Sequence, residues 1–298
     1  MSVGFIGLGC MGSRMAQNLI SKNIRLTVYD SNPEKLLEFK EKGAKICSSA
    51  AELASKCKEI FTMLPNGEDV LSLYTGKSGI METLRENTLC IDCSTIDQAT
   101  SIQVSEIVET KNASFIDAPV SGGVLGAEKA TLTFMVGGES KDFERAKPLF
   151  ELMGKNTVHC GKVGSGQVTK LCNNMLLASQ MIALAEIMNM GEKLGLDPTV
   201  LTSVINSSSG RCWASDTYNP VPGVIKGTPA SNNFEPGFTC TLMAKDLSLA
   251  QNLSTRNKIP IPMGALAHQF YLHLLNDPKY KNKDFSVIYK FFTETWKN

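Results

Sequence analysis

Residues 3–12 read VGFIGLGCMG, and this stretch narrows the possible fold more than any other. An apolar run with strand character leads into a turn holding Gly7-x-Gly9-x-x-Gly12, and the helix-like SRMAQNLISK (13–22) follows at once. A three-glycine pattern alone is weak, but strand before and helix after give each glycine a task. Gly7 permits the tight turn, Gly9 lets a pyrophosphate approach the backbone, and Gly12 lets the helix pack on the strand. The N-terminus of that helix then faces the phosphate charge. A second strand-like run, LTVYD (26–30), ends on Asp30, 18 residues beyond Gly12. A carboxylate there accepts hydrogen bonds from ribose hydroxyls and repels a 2′-phosphate, so the expected cofactor is NAD rather than NADP. Arg25 precedes the strand and is not placed to reverse that preference. The loop residues Gly7, Leu8, Gly9, Cys10, Met11 and Gly12, with Asp30 and Ser31, are the candidate cofactor contacts.

Beyond this unit, short apolar runs at 59–65, 88–95, 114–120 and 132–138 alternate with amphipathic segments such as NPEKLLEFKEKG (32–43). Most of the runs lack polar alternation, as strands covered on both faces do. The expected architecture up to residue 162 is therefore α/β, a parallel, doubly wound sheet of Rossmann type. After about residue 163 strand patterns stop. Residues 166–194 hold no proline and are apolar on nearly every side, predicting a helix of about 29 residues and 43 Å at 1.5 Å per residue. A helix apolar all round is expected to be buried between partners, as the spine of an all-α C-terminal domain spanning 163–298. Further helices are expected near 198–207, 241–256, 262–276 and 284–296, with a proline- and glycine-rich loop over 218–237 that is long enough to be functional.

Composition excludes several roles. The net charge of +1 over 298 residues leaves no electrostatic footprint for nucleic acid or membrane. The nine cysteines are odd in number and show no framework spacing, which points to a reducing compartment. Cys90 and Cys93 form a CxxC within a strand-like run, with no second pair to complete a metal set, so a structural role is expected and no metal. The weakly charged stretch 171–185 contains Asn173, Asn174 and Gln180 and reads as too short and polar to span a bilayer, so a soluble chain is expected. With a strand opening at Val3, no targeting peptide is expected within the sequence.

A second glycine turn, GKVGSGQVTKLCNNM (161–175), raises the question of another phosphate cradle. Gly164-x-Gly166 lacks the third glycine, and no lysine-serine or lysine-threonine pair follows. Lys170 and Asn174 lie four residues apart and project from one helical face. A buried lysine is pushed toward its neutral amine, which can accept a proton from an alcohol as hydride leaves. The alternative is a lysine that snorkels to solvent near the helix start. At 117–123, DAPVSGG ends a strand, and Ser121, Gly122 and Gly123 offer a hydroxyl and approachable backbone N–H groups suited to a carboxylate. A plain strand-to-loop turn explains that segment equally well.

Taken in order, GFIGLGCMG, MLP (63–65), DAPVSGG, GSGQVTKLCNN and LMAKDLSLA (242–250) span nearly the whole chain and resemble the β-hydroxyacid dehydrogenase family. SSGRCWASDTYNPVPGV (208–224) resembles the mitochondrial branch acting on 3-hydroxyisobutyrate. The resemblance implies oxidation of that acid to methylmalonate semialdehyde with NAD, a step of valine breakdown, in the mitochondrial matrix, with the cytoplasm as the alternative. It implies that Lys170 is catalytic and that Asn174, Ser121, Gly122 and Gly123 bind substrate. Trp213 and Phe238 are implied as an apolar wall around the substrate methyl, and Asp246, beside Lys245 at the cleft, as a further substrate contact. Leu64, Pro65, Asp69, Thr95 and Lys245 match cofactor contacts. The long helix and its neighbours are implied to form a homodimer or homotetramer interface. Sibling reductases of succinic, glyoxylic or tartronic semialdehyde, which usually prefer NADP, remain open, as does an inactive oligomeric scaffold. No nucleic-acid or membrane partner is implied.

Overall fold

The computed structural model describes residues 2–295. The chain forms two compact units, Met1–Lys170 and Leu171–Asn298.

The first unit carries nine strands: β1 (Val3–Ile6), β2 (Leu26–Tyr29), β3 (Lys45–Ile46), β4 (Glu59–Thr62), β5 (Leu89–Asp92), β6 (Ser114–Asp117), β7 (Val120–Ser121), β8 (Leu132–Gly137) and β9 (Gly154–Gly161). Seven helices connect them: α1 (Gly12–Ser21), α2 (Pro33–Glu41), α3 (Ala50–Ala54), α4 (Gly67–Thr75), α5 (Gln98–Glu109), α6 (Gly123–Glu128) and α7 (Ser140–Phe150). The sheet runs β3-β2-β1-β4-β5-β6-β8-β7, with β9 on β8. Strands β1 to β6 pair in parallel, but β8 is antiparallel to both β6 and β7. The all-parallel expectation is corrected there: β7 and β8 are joined by the short α6, too little chain for a full crossover. The sequence reading also missed β3, two residues long, and β9, whose GKNTVHCG has little apolar content.

Neighbouring strand residues serve opposite faces. Phe5, Phe61, Ile91 and Ile116 enter one apolar cluster, while Ile6, Ile60, Cys90 and Phe115 enter another. Both faces are therefore buried, which is why the strands lack polar alternation. Cys90 and Cys93 also lie in different clusters, so the CxxC is no pair. Burial pushes the Cys90 thiol up to about 12 and Cys93 well above its usual range. All nine cysteines are free thiols, and no metal-ligand cluster occurs among the described residues.

The register of β1 to β6 aligns one row at the carboxyl edge: Tyr29, Ile6, Thr62, Asp92 and Asp117. Strand order reverses between β1 and β4, so the connections from their ends diverge to opposite sides of the sheet. That is where open α/β sheets leave a crevice.

Helix α8 (Ser165–Lys193, 29 residues) starts in the first unit and continues into the second. The second unit adds α9 (Pro198–Asn206), α10 (Trp213–Asp216), α11 (Cys240–Asn257), α12 (Pro262–Leu275) and α13 (Ile288–Thr295). Helix α10 was not anticipated from sequence, and the expected helix end at residue 296 lies outside the described residues. Ala178, Met181, Ala185 and Met188 recur every three or four residues along α8 and pack with Met243, Leu247, Tyr271 and Phe292. The opposite side of α8 is not buried in this chain: Leu176, Ile187 and Met190 are exposed. Within a single chain, α8 is therefore buried on one side only. By length and composition alone α8 could also cross a membrane, contrary to the reading of 171–185 as too short and polar. A core face of this kind, with Asn174 and Asn189 buried on the helix, equally describes the central helix of a globular unit.

Candidate active site

The loops that leave the carboxyl row carry most of the sequence-derived candidates. After β1, Gly7 adopts φ +92°, and a Cβ there would sit 2.3 Å from the Met63 carbonyl oxygen. A Cβ on Gly12 would sit 2.0 Å from the Gly7 carbonyl oxygen, so only glycine lets α1 start against this turn. Gly9 differs, because a Cβ there meets nothing within 4 Å. Its space is open rather than used by the protein. Helix α1 begins with no side-chain cap and no acidic residue in its first turn, leaving its positive end toward that space. Leu8 is fully buried, Cys10 exposed and Met11 half-buried.

Asp30 is tied to the same loop. Its carboxylate accepts from the Leu8 N–H at 2.6 Å through one oxygen and from the Asn32 N–H at 2.7 Å through the other. Sequence spacing indicated a ribose ligand; the structure adds a strut between β2 and the glycine turn. Gly7, Asp30, Ser31, Leu64, Pro65 and Asp69 line one cavity of about 380 Å³. Lys77 and Ser78, from the connection after α4, line it too, and sequence reasoning missed them because no motif marks that segment. Asp69 stands in the first turn of α4, and its carboxylate accepts from the Asn66 side chain at 2.8 Å.

The loops after β4 and β5 are locked together by hydroxyls. Thr62 and Ser94 both donate to one oxygen of Asp92, at 2.7 and 2.6 Å, and Ser94 Oγ accepts from the Leu64 N–H at 2.8 Å. Leu64 and Thr95 are thereby held on adjoining loops, Thr95 half-buried between Ser94 and Ile96.

The second glycine turn is filled by the protein itself. Asp117, at the end of β6, accepts from the Gly164 N–H at 2.6 Å with one carboxylate oxygen and from the Gln167 N–H at 2.8 Å with the other. A Cβ on Gly137 or on Gly166 would come within 2.4 and 2.7 Å of those oxygens. The start of α8 is already occupied by the protein's own carboxyl group, which leaves no place for a phosphate. Burial pushes Asp117 up to about 7, against the two N–H donors that favour its charged form, and the nearby Asp92 adds to the rise. The Gln167 side chain donates to the Ser94 carbonyl at 2.9 Å and accepts from the Ile96 N–H at 3.1 Å. One turn beyond these ties lies Lys170, buried at 7% exposure. Neither Asp117 nor Gln167 was singled out from sequence. The usable signal was an acid opening DAPVSGG at a strand end.

Ser121 closes β7; Gly122 follows at φ +132° as the N-cap of α6, and Gly123 opens that helix at φ +63°. Two successive left-handed residues fold the backbone into a turn that ordinary residues resist.

In the second unit Asn174, 2% exposed, donates its amide N–H to Asp246 at 2.6 Å. Asp246 is itself 3% exposed, and Lys245 Nζ lies 3.6 Å from its other oxygen. Asp246 thus faces Asn174 with one oxygen and Lys245 with the other. Trp213 on α10 is half exposed and stacks on Tyr218 at 4.8 Å, while Phe238 meets Phe285 edge-on at 6.2 Å. Buried Asp284 joins these rings by accepting from the Tyr218 hydroxyl at 3.0 Å and the Phe238 N–H at 2.8 Å. Burial pushes Asp284 up to about 6. It too was missed, having no motif around it.

Comparison with known proteins agrees with this arrangement. Residues 2–161 match the family model of the NAD-binding domain of 6-phosphogluconate dehydrogenase. Residues 164–292 match a second, described as NAD-binding of NADP-dependent 3-hydroxyisobutyrate dehydrogenase. The mitochondrial 3-hydroxyisobutyrate dehydrogenase of Mus musculus is 51% identical over 292 residues, covering 98% of this chain and 87% of its own. The Pseudomonas aeruginosa 3-hydroxyisobutyrate dehydrogenase is 44% identical over 97% of this chain and 98% of its own. The solved Mycobacterium tuberculosis 3-hydroxyisobutyrate dehydrogenase, with L-serine, is 39% identical and superposes with a TM-score of 0.92 over 98% of each chain. A glycine loop strutted by an acid, a lysine one turn into a pinned helix and this likeness along the whole chain lead to one assignment: the chain belongs to the 3-hydroxyisobutyrate dehydrogenase family.

Proposed function

We propose that this protein oxidises 3-hydroxyisobutyrate to methylmalonate semialdehyde with NAD, the step its relatives are named for, within valine breakdown. The observation that carries the reading is the place of Lys170. It lies one turn past a helix start that Asp117 and Gln167 tie to the strand row from which the glycine loop also leaves.

The coenzyme fits the residues present. The open space at Gly9 and the uncapped start of α1 suit a pyrophosphate, Asp30 and Ser31 suit ribose hydroxyls, and the cavity they line suits an adenosine. Leu64, Pro65 and Thr95, with Lys245 and more loosely Asp69, would serve the remaining contacts. When bound, NAD supplies the hydride acceptor. The substrate carboxylate is held at Ser121 and the Gly122–Gly123 turn, where hydroxyl and backbone N–H donors are available. Lys170 takes the hydroxyl proton as the alcohol carbon gives up its hydride. Asn174, oriented by Asp246, holds a substrate oxygen, and Trp213 and Phe238 bound the methyl group. The Mycobacterium relative solved with L-serine supports this class, since L-serine also pairs a carboxylate with a β-hydroxyl.

One family model names NADP, whereas Asp30 sets a negative charge beside the ribose position. The charge argument favours NAD. Sibling semialdehyde reductases usually prefer NADP, so Asp30 also weighs against them, and the presence of Lys170 weighs against an inert scaffold. The exposed Leu176, Ile187 and Met190 on α8 support a homodimer or homotetramer through the helical unit. The mitochondrial names of the eukaryotic relatives support the mitochondrial matrix, with the cytoplasm as the alternative. A panel of β-hydroxy acids assayed with both coenzymes tests the whole reading. Highest kcat/KM for 3-hydroxyisobutyrate with NAD is expected; highest turnover of another hydroxy acid, or with NADP, would replace it.

A further inference from the structure

We propose that Asp117 is a positioning residue for Lys170: by occupying the N-terminus of α8 it fixes where the lysine stands relative to the sheet. The inference rests on Lys170 as the proton acceptor.

Four observations converge on it. Asp117 splits its two oxygens between the Gly164 and Gln167 N–H groups, at 2.6 and 2.8 Å, so the carboxylate clamps the turn and the first helical residues together. Gly137 and Gly166 flank it, and a Cβ on either would enter the carboxylate's space at 2.4 or 2.7 Å. The fit therefore leaves little slack in either direction. Gln167 adds a second tie to the loop after β5, through Ser94 and Ile96. Lys170 follows three residues later on a helix whose rigid geometry transmits any shift of its start. Two oxygen acceptors are needed for this clamp: a carboxyl offers one at each end, whereas a side-chain amide presents its NH₂ to one of the two N–H donors.

The test is Asp117→Asn, alone and combined with Lys170→Met, read as kcat, NAD dissociation constant and amide exchange at Gly164–Lys170. A misplacement near 1 Å can cost up to about a hundredfold in rate. The expected result is a kcat about 10- to 100-fold below wild type, an NAD dissociation constant within about threefold, and faster exchange at the helix start. A residue acting through Lys170 has nothing left to act on once the amine is gone. Asp117→Asn should therefore lower the residual turnover of Lys170→Met by less than about twofold. Losses that multiply in the double variant, or a wild-type kcat in Asp117→Asn, overturn the proposal. If Asp117→Asn does not fold, Asp117→Ser leaves one acceptor oxygen in place of two and adds no bulk, and the same signature and the same two refuting outcomes apply. Wild-type turnover in Lys170→Met alone would instead remove the proton-acceptor reading and this inference with it, a result distinct from the other two.

Discussion

Asp30 does two jobs in this structure, and substitution can separate them. Its carboxylate braces the glycine turn through the buried Leu8 N–H at 2.6 Å, and the same charge faces the ribose position. Asp30→Ala strands the Leu8 N–H inside the protein, because Leu8 is fully buried. An unpaired buried donor costs about 1–3 kcal/mol, whereas the exposed Asn32 N–H regains water at little cost. Loss of the charge-assisted bonds to ribose adds about 1.5–3 kcal/mol to NAD binding, roughly 10- to 150-fold in kcat/KM. Asp30→Asn is the discriminating variant. Its carbonyl oxygen can still receive the Leu8 N–H, so coenzyme-free stability should fall by less than about 1 kcal/mol. The repulsion of a 2′-phosphate disappears all the same. We expect wild type to favour NAD over NADP by at least about tenfold in kcat/KM, which is about 1.4 kcal/mol. Asp30→Asn should bring the ratio to within about threefold of unity, and Asp30→Ala should do so while also melting earlier. The assays are initial rates with both coenzymes and thermal unfolding without either. An Asn variant that keeps the wild-type preference would show that charge at residue 30 does not discriminate. An Ala variant as stable as wild type would show that the strut contributes nothing.

Lys170→Met should lower kcat by about 10²–10⁴-fold with little change in NAD affinity measured calorimetrically, and Lys170→Arg should not restore it because a guanidinium keeps its proton. Gly9→Ala should fold normally, since its Cβ meets open space, yet weaken NAD binding by at least about tenfold; tight NAD binding in that variant would move the pyrophosphate elsewhere. Gly12→Ala, with its Cβ 2.0 Å from a carbonyl oxygen, should instead lower the melting temperature with or without NAD. The methyl ester of the substrate should lose well over tenfold in kcat/KM, and equal turnover of ester and acid would place the anchor away from Ser121. Burial raises Asp284 from 3.8 to about 6, so the fold holds its proton more tightly than the unfolded chain does. This group's contribution is most favourable below pH 4 and is lost as pH rises through about 6, on the order of 3 kcal/mol at most. Melting temperature followed across pH 4–7 should therefore show a shallower decline, or a steeper rise, in Asp284→Asn than in wild type; parallel curves would reject the assignment.

Much of the coenzyme half was legible because its information is local. A glycine fingerprint, an acid at a strand end and runs of unalternating apolar residues each depend on neighbours a few positions away. Gly7, Gly9, Gly12 and Asp30 could be assigned distinct tasks before any contact was known. The length of α8 was legible for the same reason: no residue from 165 to 193 breaks a helix. What sequence could not show depended on residues far apart in the chain. Asp117 meets Gly164 and Gln167 across 47 and 50 residues, and Asp284 meets Tyr218 and Phe238 across 66 and 46. An isolated aspartate carries no mark of its distant partner. The antiparallel β8 was hidden likewise, because one strand's pattern does not encode its direction relative to the next. Sequence alone determined that this chain builds a dinucleotide-type sheet followed by helices around a long apolar spine, since periodicity and turn chemistry are properties of short segments. Only the tertiary structure decided that the second glycine turn closes on the protein's own carboxylate, because hydrogen bonds across the fold exist only after distant strands and helices have met.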